Sequence, residues 1–317
     1  MKVNKFMTIA LSILISTNLI QAKAYAEQVT KLSDQEILNI ASSISEEDKY
    51  ALLSGKISEK EFNEKYHISE VKKINEKKEN DIKLKNSLNG NTTQVTPNVV
   101  IGDGGGGNVS GALPYPTFYF YTGSGYGGNQ MLYTDSTAIN TGCGPIAACN
   151  VLAYHAKSYG RTNLYKKALN GETYTWDNPG WLHYQNDMYT TVQGPAILST
   201  WSSGVTAWAN RCGYRYATSS MTFYYTFSIY SQKFLDMASF IRTQIDKNNP
   251  VAILLGNGCG YNYENNYTKH WVTVTDYNYS NGVYKIGVSS WGTFKWLDLG
   301  ELGRDRTWID LVYAYSY

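Results

Sequence analysis

The run Asn140-Thr141-Gly142-Cys143-Gly144-Pro145-Ile146-Ala147-Ala148-Cys149-Asn150-Val151-Leu152 constrains this chain more than any other stretch. It reads as a tight turn that delivers one cysteine to the start of a buried helix. Thr141 is placed to cap that helix. Pro145 falls in the first turn, where its missing N–H costs nothing. Ile146 to Tyr154 is apolar almost all round, as a helix enclosed in a core must be, and Gly160 is the expected stop. A cysteine at a helix start faces unpaired N–H groups and the positive end of the dipole. That setting lowers a thiol pKa, and the same N–H groups suit a developing oxyanion. The competing reading is a small core cysteine in a Gly-Pro turn.

Ahead of this run the chain changes character twice. Residues 1–26 read as a secretory signal: Lys2 and Lys5 precede an apolar stretch from Phe6 to Ile20, and Ala24-Tyr25-Ala26 fits a cleavage site. The apolar stretch is broken by polar residues and is short for a spanning helix, so export without stable membrane insertion is expected. From Glu27 to Gly107 the sequence holds 11 Lys/Arg and 14 Asp/Glu, whereas from Asn108 to Tyr317 it holds 14 and 12 and all 8 Trp. The first segment is too polar to bury a large core alone; the second is long enough for one domain. Within the first, a capping box at Ser33 and Glu36 opens one helix, and Ser45–Leu53 and Ser58–Tyr66 read as two more. The glycine-dense stretch 101–111 reads as a cleavable joint. The organisation expected is therefore signal 1–26, helical pro-region 27–100, linker 101–111 and a globular domain 112–317.

Inside that domain, Thr117–Thr122 reads as a strand, and Thr162 to Ser203 shows no sustained period, with turn residues around Trp176, Asn178, Pro179 and Gly180. Val205–Arg211 reads as a short helix and Tyr214–Ile229 as strand. Gln232–Lys247 is amphipathic and stops at Pro250. Val251–Leu255, His270–Tyr277, Val283–Val288 and Trp308–Tyr315 read as strands. A helix-rich half before a strand-rich half points to α+β.

A cysteine nucleophile needs a base. His155 is twelve residues along the same helix, about 18 Å away, and is read as structural. His183 is read as a surface residue. His270 opens an alternating strand, held rigidly yet accessible, and is the candidate base. Asp276 shares its strand but lies about 20 Å off. The Asn281-Gly282 turn returns the next strand, so Ser289 or Ser290 falls beside His270, with Trp291 packing over it; Ser289 is taken as the orienting residue.

The anchors Thr141-Gly142-Cys143-Gly144-Pro145, His270-Trp271-Val272 and Ser289-Ser290-Trp291-Gly292-Thr293 resemble those of the papain-like cysteine peptidases, in the same order. The Cys-Gly-Pro start is nearer the bacterial branch that includes bacteriocin-leader-processing peptidases and their secreted Gram-positive relatives. The resemblance covers roughly the last 180 residues. It implies a papain-like α+β fold, with a buried helix carrying Cys143 packed on an antiparallel sheet carrying His270. It also implies hydrolysis of a protein or peptide substrate through a thioester, with the pro-region acting as intramolecular inhibitor until cleaved. The chain departs from the family pattern twice: Ser289 stands where members carry Asn or Asp, and Thr137 where they carry a Gln oxyanion donor. Asn140 is the candidate substitute for that donor.

The remaining features point elsewhere weakly. Cys149 reads as core. Cys212 and Cys259 are a conceivable pair in an exported protein, but four cysteines do not determine connectivity. No zinc spacing, phosphate loop or basic tract is present, so no metal, cofactor or nucleic acid is expected. Two other readings remain: an exported aromatic-rich module binding carbohydrate or cell wall through its 28 Tyr and 8 Trp, and a Cys-His amidase or acyltransferase acting on peptidoglycan.

Overall fold

The computed structural model describes residues 36, 39–40, 43–71, 73–74, 108–114, 126–224, 232–256, 267, 269–280, 282–304 and 308–317. The signal stretch, the helix start at Ser33, the strand read at Thr117–Thr122 and Cys259 lie outside the described residues. In chain order the elements are α1 (Glu46–Leu53), α2 (Glu59–Lys65), β1 (Val109–Ala112), α3 (Ser136–Thr141), α4 (Cys143–Ser158), α5 (Asn163–Lys166), α6 (Asn178–Val192) and α7 (Leu198–Arg211). There follow β2 (Tyr216–Tyr224), α8 (Gln232–Asp246), β3 (Val251–Leu255), β4 (His270–Ser280), β5 (Val283–Ser290), β6 (Thr293–Asp298), α9 (Leu299–Arg304) and β7 (Trp308–Ser316). This is a mixed helix and antiparallel-sheet architecture, as expected for α+β.

The strands run β2-β7-β3-β4-β5-β6, every pair antiparallel, with β1 beside β4 where β3 has ended. Side chains alternate between the two faces. Ala252, Leu254, Trp271, Val312 and Ala314 pack under α4, α6 and α7. Val251, Ile253, Val272, Val274 and Leu311 pack on the other face with α8 and α9. Helix α4 is buried from Cys143 to Ala156, the all-round burial its composition requires, and Gly160 follows it with φ +66°. Its cap is not Thr141. That residue ends α3 instead, donating its hydroxyl to Thr137 O at 2.7 Å. Gly142 joins the two helices because any Cβ there would come within 2.5 Å of Ala138 O.

Three helices, α5, α6 and the start of α7, fall in the stretch that shows no sustained period. Asp177 accepts the Gly180 N–H at 2.8 Å and Pro179 sits in the first turn, so the residues that resembled a loop are the cap of α6. Helix α7 starts seven residues before its expected beginning and buries Trp201, Val205 and Trp208 along one side. The linker reading of 101–111 also extends too far. Val109–Ala112 pairs with β4 from Tyr279 to Asp276. The pairing is made by backbone, and at Gly111 a Cβ would meet the Tyr277 ring at 2.5 Å, so a strand here carries a linker's composition.

The two N-terminal helices start at Ser45 and Ser58, the latter with a complete capping box to Glu61. They bury Leu52, Phe62 and Tyr66 against Trp308 of β7. The buried Lys49 ammonium lies 3.4 Å from Asp310, which also accepts the Thr222 hydroxyl at 2.6 Å. Glu59 pairs with Lys269 at 3.3 Å, one residue before His270.

Candidate active site

Cys143 is the first residue of α4 and is 9% exposed. Its sulfur meets the backbone N–H groups of Cys143, Gly144 and Trp271. Those groups pull the thiol pKa down, in the sense expected of a helix start, but burial outweighs them and the thiol is pushed up. The expectation of a lowered thiol pKa is thereby corrected: desolvation of the charged form is the larger effect in this enclosed position.

His270, at the head of β4, is 6% exposed. Its Nε2 lies 2.9 Å from the Ser290 hydroxyl. The Trp291 indole stacks on it, with ring centroids 4.0 Å apart and planes 8° from parallel, and Tyr267 stands 6.0 Å away. Trp291 and Gly292 form the two-residue connection between β5 and β6, both with positive φ, 47° and 72°. Both signs fit a primed hairpin turn, and holding a tryptophan there costs about 1–3 kcal/mol. The strained turn is what lays the indole over the imidazole.

Both groups lie toward the head of β4: the Trp271 backbone N–H is among those that act on the Cys143 thiol, and His270 is the residue before it. The contacts among the described residues include no hydrogen bond between the two side chains. Burial drives His270 down to about 3, so at neutral pH both groups are uncharged.

The Ser289 assignment is corrected by this geometry. Its hydroxyl donates to Tyr126 O at 2.6 Å and accepts from Asn150 Nδ2 at 3.3 Å. Ser289 pairs with Thr273 across the β4–β5 ladder and shares its face toward α4. The next residue points the opposite way, which is why Ser290 and not Ser289 meets His270. Asn140 is exposed on α3 and no contact joins it to Cys143 among the described residues.

Residues that sequence reasoning passed over complete the site. Asn150, two turns along α4 from Cys143 and 1% exposed, accepts the Gly128 N–H at 2.9 Å and donates to Thr273 Oγ1 at 3.2 Å. Its signal was a single amide inside an apolar helix. His155 is fully buried, bonded through Nδ1 to Tyr216 Oη at 2.9 Å, and His183 is exposed on α6. Cys149 and Cys212 are buried free thiols. Among the described residues no three His, Cys, Asp or Glu side chains gather to hold a metal ion, and no helix is long and apolar enough to cross a membrane.

Compared with known protein families and with curated proteins, the chain matches none.

Two buried imidazoles make an acid-sensitivity prediction. Burial drives both His155 and His270 down to about 3, with the Arg161 guanidinium adding to the shift of His155. An unfolded chain takes up these protons near ~6.5. Over that window the unfolded state binds more protons, so stability falls as pH falls, by about 1.4 kcal/mol per pH unit for each ring. Urea unfolding is expected to show a midpoint clearly lower at about pH 4.5 than at about pH 7; equal midpoints contradict the buried neutral rings.

Proposed function

We propose that this chain is the precursor of an exported papain-like cysteine endopeptidase. The observation that carries the reading is the built setting of His270 at the head of β4, held by Ser290 and covered by Trp291. Cys143 opens α4, and the N–H of Trp271, the residue after His270, acts on its thiol. In the proposed mechanism a peptide substrate enters beside α4. His270 takes the thiol proton through Nδ1, the ring nitrogen Ser290 does not engage. The sulfur attacks the scissile carbonyl, and the N–H groups of Cys143 and Gly144 bind the oxyanion. His270 then returns the proton to the leaving amine, and water releases the thioester.

The N-terminal helices are proposed as the intramolecular inhibitor. Their docking on Trp308 and Asp310, and the Glu59–Lys269 pair beside His270, support that role. The carbohydrate-surface reading loses support because Trp181, Trp201, Trp208 and Trp308 are buried and cannot stack on a sugar.

Ser290→Ala removes one hydrogen bond from His270 and is expected to lower kcat on the order of tenfold, with KM little changed. Steady-state kinetics on a fluorogenic peptide reads this, and an unchanged kcat rejects the orienting role. The peptidase reading itself is tested by incubating purified full-length protein under reducing conditions. Loss of the N-terminal segment is expected in wild type and not in Cys143→Ala; equal behaviour of the two overturns self-processing.

A further inference from the structure

We infer that Asn150 is a positioning residue that sets the spacing between the Cys143 helix and the His270 strand, an inference that rests on the peptidase reading above. Its amide joins three segments at one buried point. Oδ1 accepts the Gly128 N–H at 2.9 Å, and Nδ2 donates to Thr273 Oγ1 at 3.2 Å and to Ser289 Oγ at 3.3 Å. Ser289 then passes its own proton to Tyr126 O at 2.6 Å. Thr273 is three residues along β4 from His270, Ser289 precedes the serine that holds the imidazole, and Asn150 is seven residues along α4 from Cys143. Each part of the site is thus tied to this one side chain through a rigid element.

The bonds have a direction. Ser289 Oγ spends its proton on Tyr126 O, so it presents only lone pairs to Asn150, and an N–H donor is required there. An aspartate keeps the Gly128 contact and loses that donor. An isosteric leucine loses all three bonds and leaves the Thr273 hydroxyl and the Gly128 N–H without that partner, Ser289 keeping only its bond to Tyr126 O. Apolar packing alone lets α4 slide along the sheet; a three-way amide fixes its height. At Gly127 a Cβ would collide with Ser289 Oγ and come within 2.8 Å of Asn150 Oδ1, so the loop is shaped to reach this amide.

The test compares wild type, His270→Ala, Asn150→Leu, Asn150→Asp and Thr273→Val as full-length proteins. It follows the pH profile of Cys143 alkylation by iodoacetamide, quantified by peptide mapping, and kcat and KM on a fluorogenic peptide after processing. Wild-type alkylation is expected to depend on His270. Both Asn150 variants are expected to lose that dependence and to lower kcat about 10²-fold with KM nearly unchanged, the effect of a displacement on the order of 1 Å. Thr273→Val removes one acceptor at constant volume and is expected to lower kcat several-fold; it decides the matter alone should Asn150→Leu fail to fold. Wild-type profiles and kcat in the folded Asn150 and Thr273 variants overturn the positioning role and leave the peptidase reading standing. Identical alkylation in wild type and His270→Ala overturns both.

Discussion

Cys143→Ala is expected to abolish peptide hydrolysis, lowering kcat/KM on the order of 10⁴-fold or more, while circular dichroism and urea unfolding stay close to wild type. The side chain loses one sulfur at the enclosed start of α4, and the helix is held by the burial of Ile146 to Ala156 behind it. His270→Ala is expected to cost about 10²–10⁴-fold, the value of a positioned base. Because the two act as one unit, the double variant is expected to be no worse than Cys143→Ala alone. Additive losses would show that the two side chains work separately. Fluorogenic-peptide kinetics measures all three, each variant having its N-terminal segment first removed in trans and the trimming protease removed.

The second large effect concerns stability. Lys49→Met strands Asp310, which is completely buried and, among the described residues, keeps only the Thr222 hydroxyl as side-chain partner. An uncompensated buried carboxylate of this kind costs about 3–5 kcal/mol. The N-terminal helices are expected to undock first, since their remaining hold is the apolar cluster around Phe62 and Trp308 and the partly exposed Glu59–Lys269 pair. Limited proteolysis should therefore cut the variant ahead of the domain at far lower protease concentration than wild type. Replacing both partners, Lys49→Met with Asp310→Leu, removes the stranded charge and is expected to restore most of the protection. If the single variant is as resistant as wild type, the ion pair contributes nothing to docking.

Long periodic segments were legible in the sequence. Helix α8 shows its apolar stripe, β3 matches its expected limits from Val251 to Leu255, and β4, β5 and β7 are recognisable from alternation and a turn containing Gly282. What escaped was structure carried by backbone or by caps. Strand β1 follows the glycine run Gly104 to Gly107 in sequence and pairs through its main chain, and β6 lies at the sheet edge with most of its side chains half-buried or exposed. Helix α6 hid behind the residues that start it. In the site, Cys143, His270 and Trp291 were placed by spacing, but the choice between Ser289 and Ser290 was not. It depends on the β4–β5 register, which shifts between Val274 and Asp276, and a slip of one residue exchanges faces. The thiol pKa escaped for another reason: helix-end N–H groups are visible in a sequence, while the burial that outweighs them exists only after packing.

The most direct measurement treats wild type and His270→Ala, both trimmed of the N-terminal segment in trans by a separate protease, with a peptidyl chloromethyl ketone and maps the adduct by mass spectrometry. A papain-like pair predicts one peptidyl group, on Cys143, formed rapidly in wild type and not in His270→Ala. Label absent from Cys143, or equally fast in His270→Ala, would contradict a sulfur nucleophile served by that imidazole.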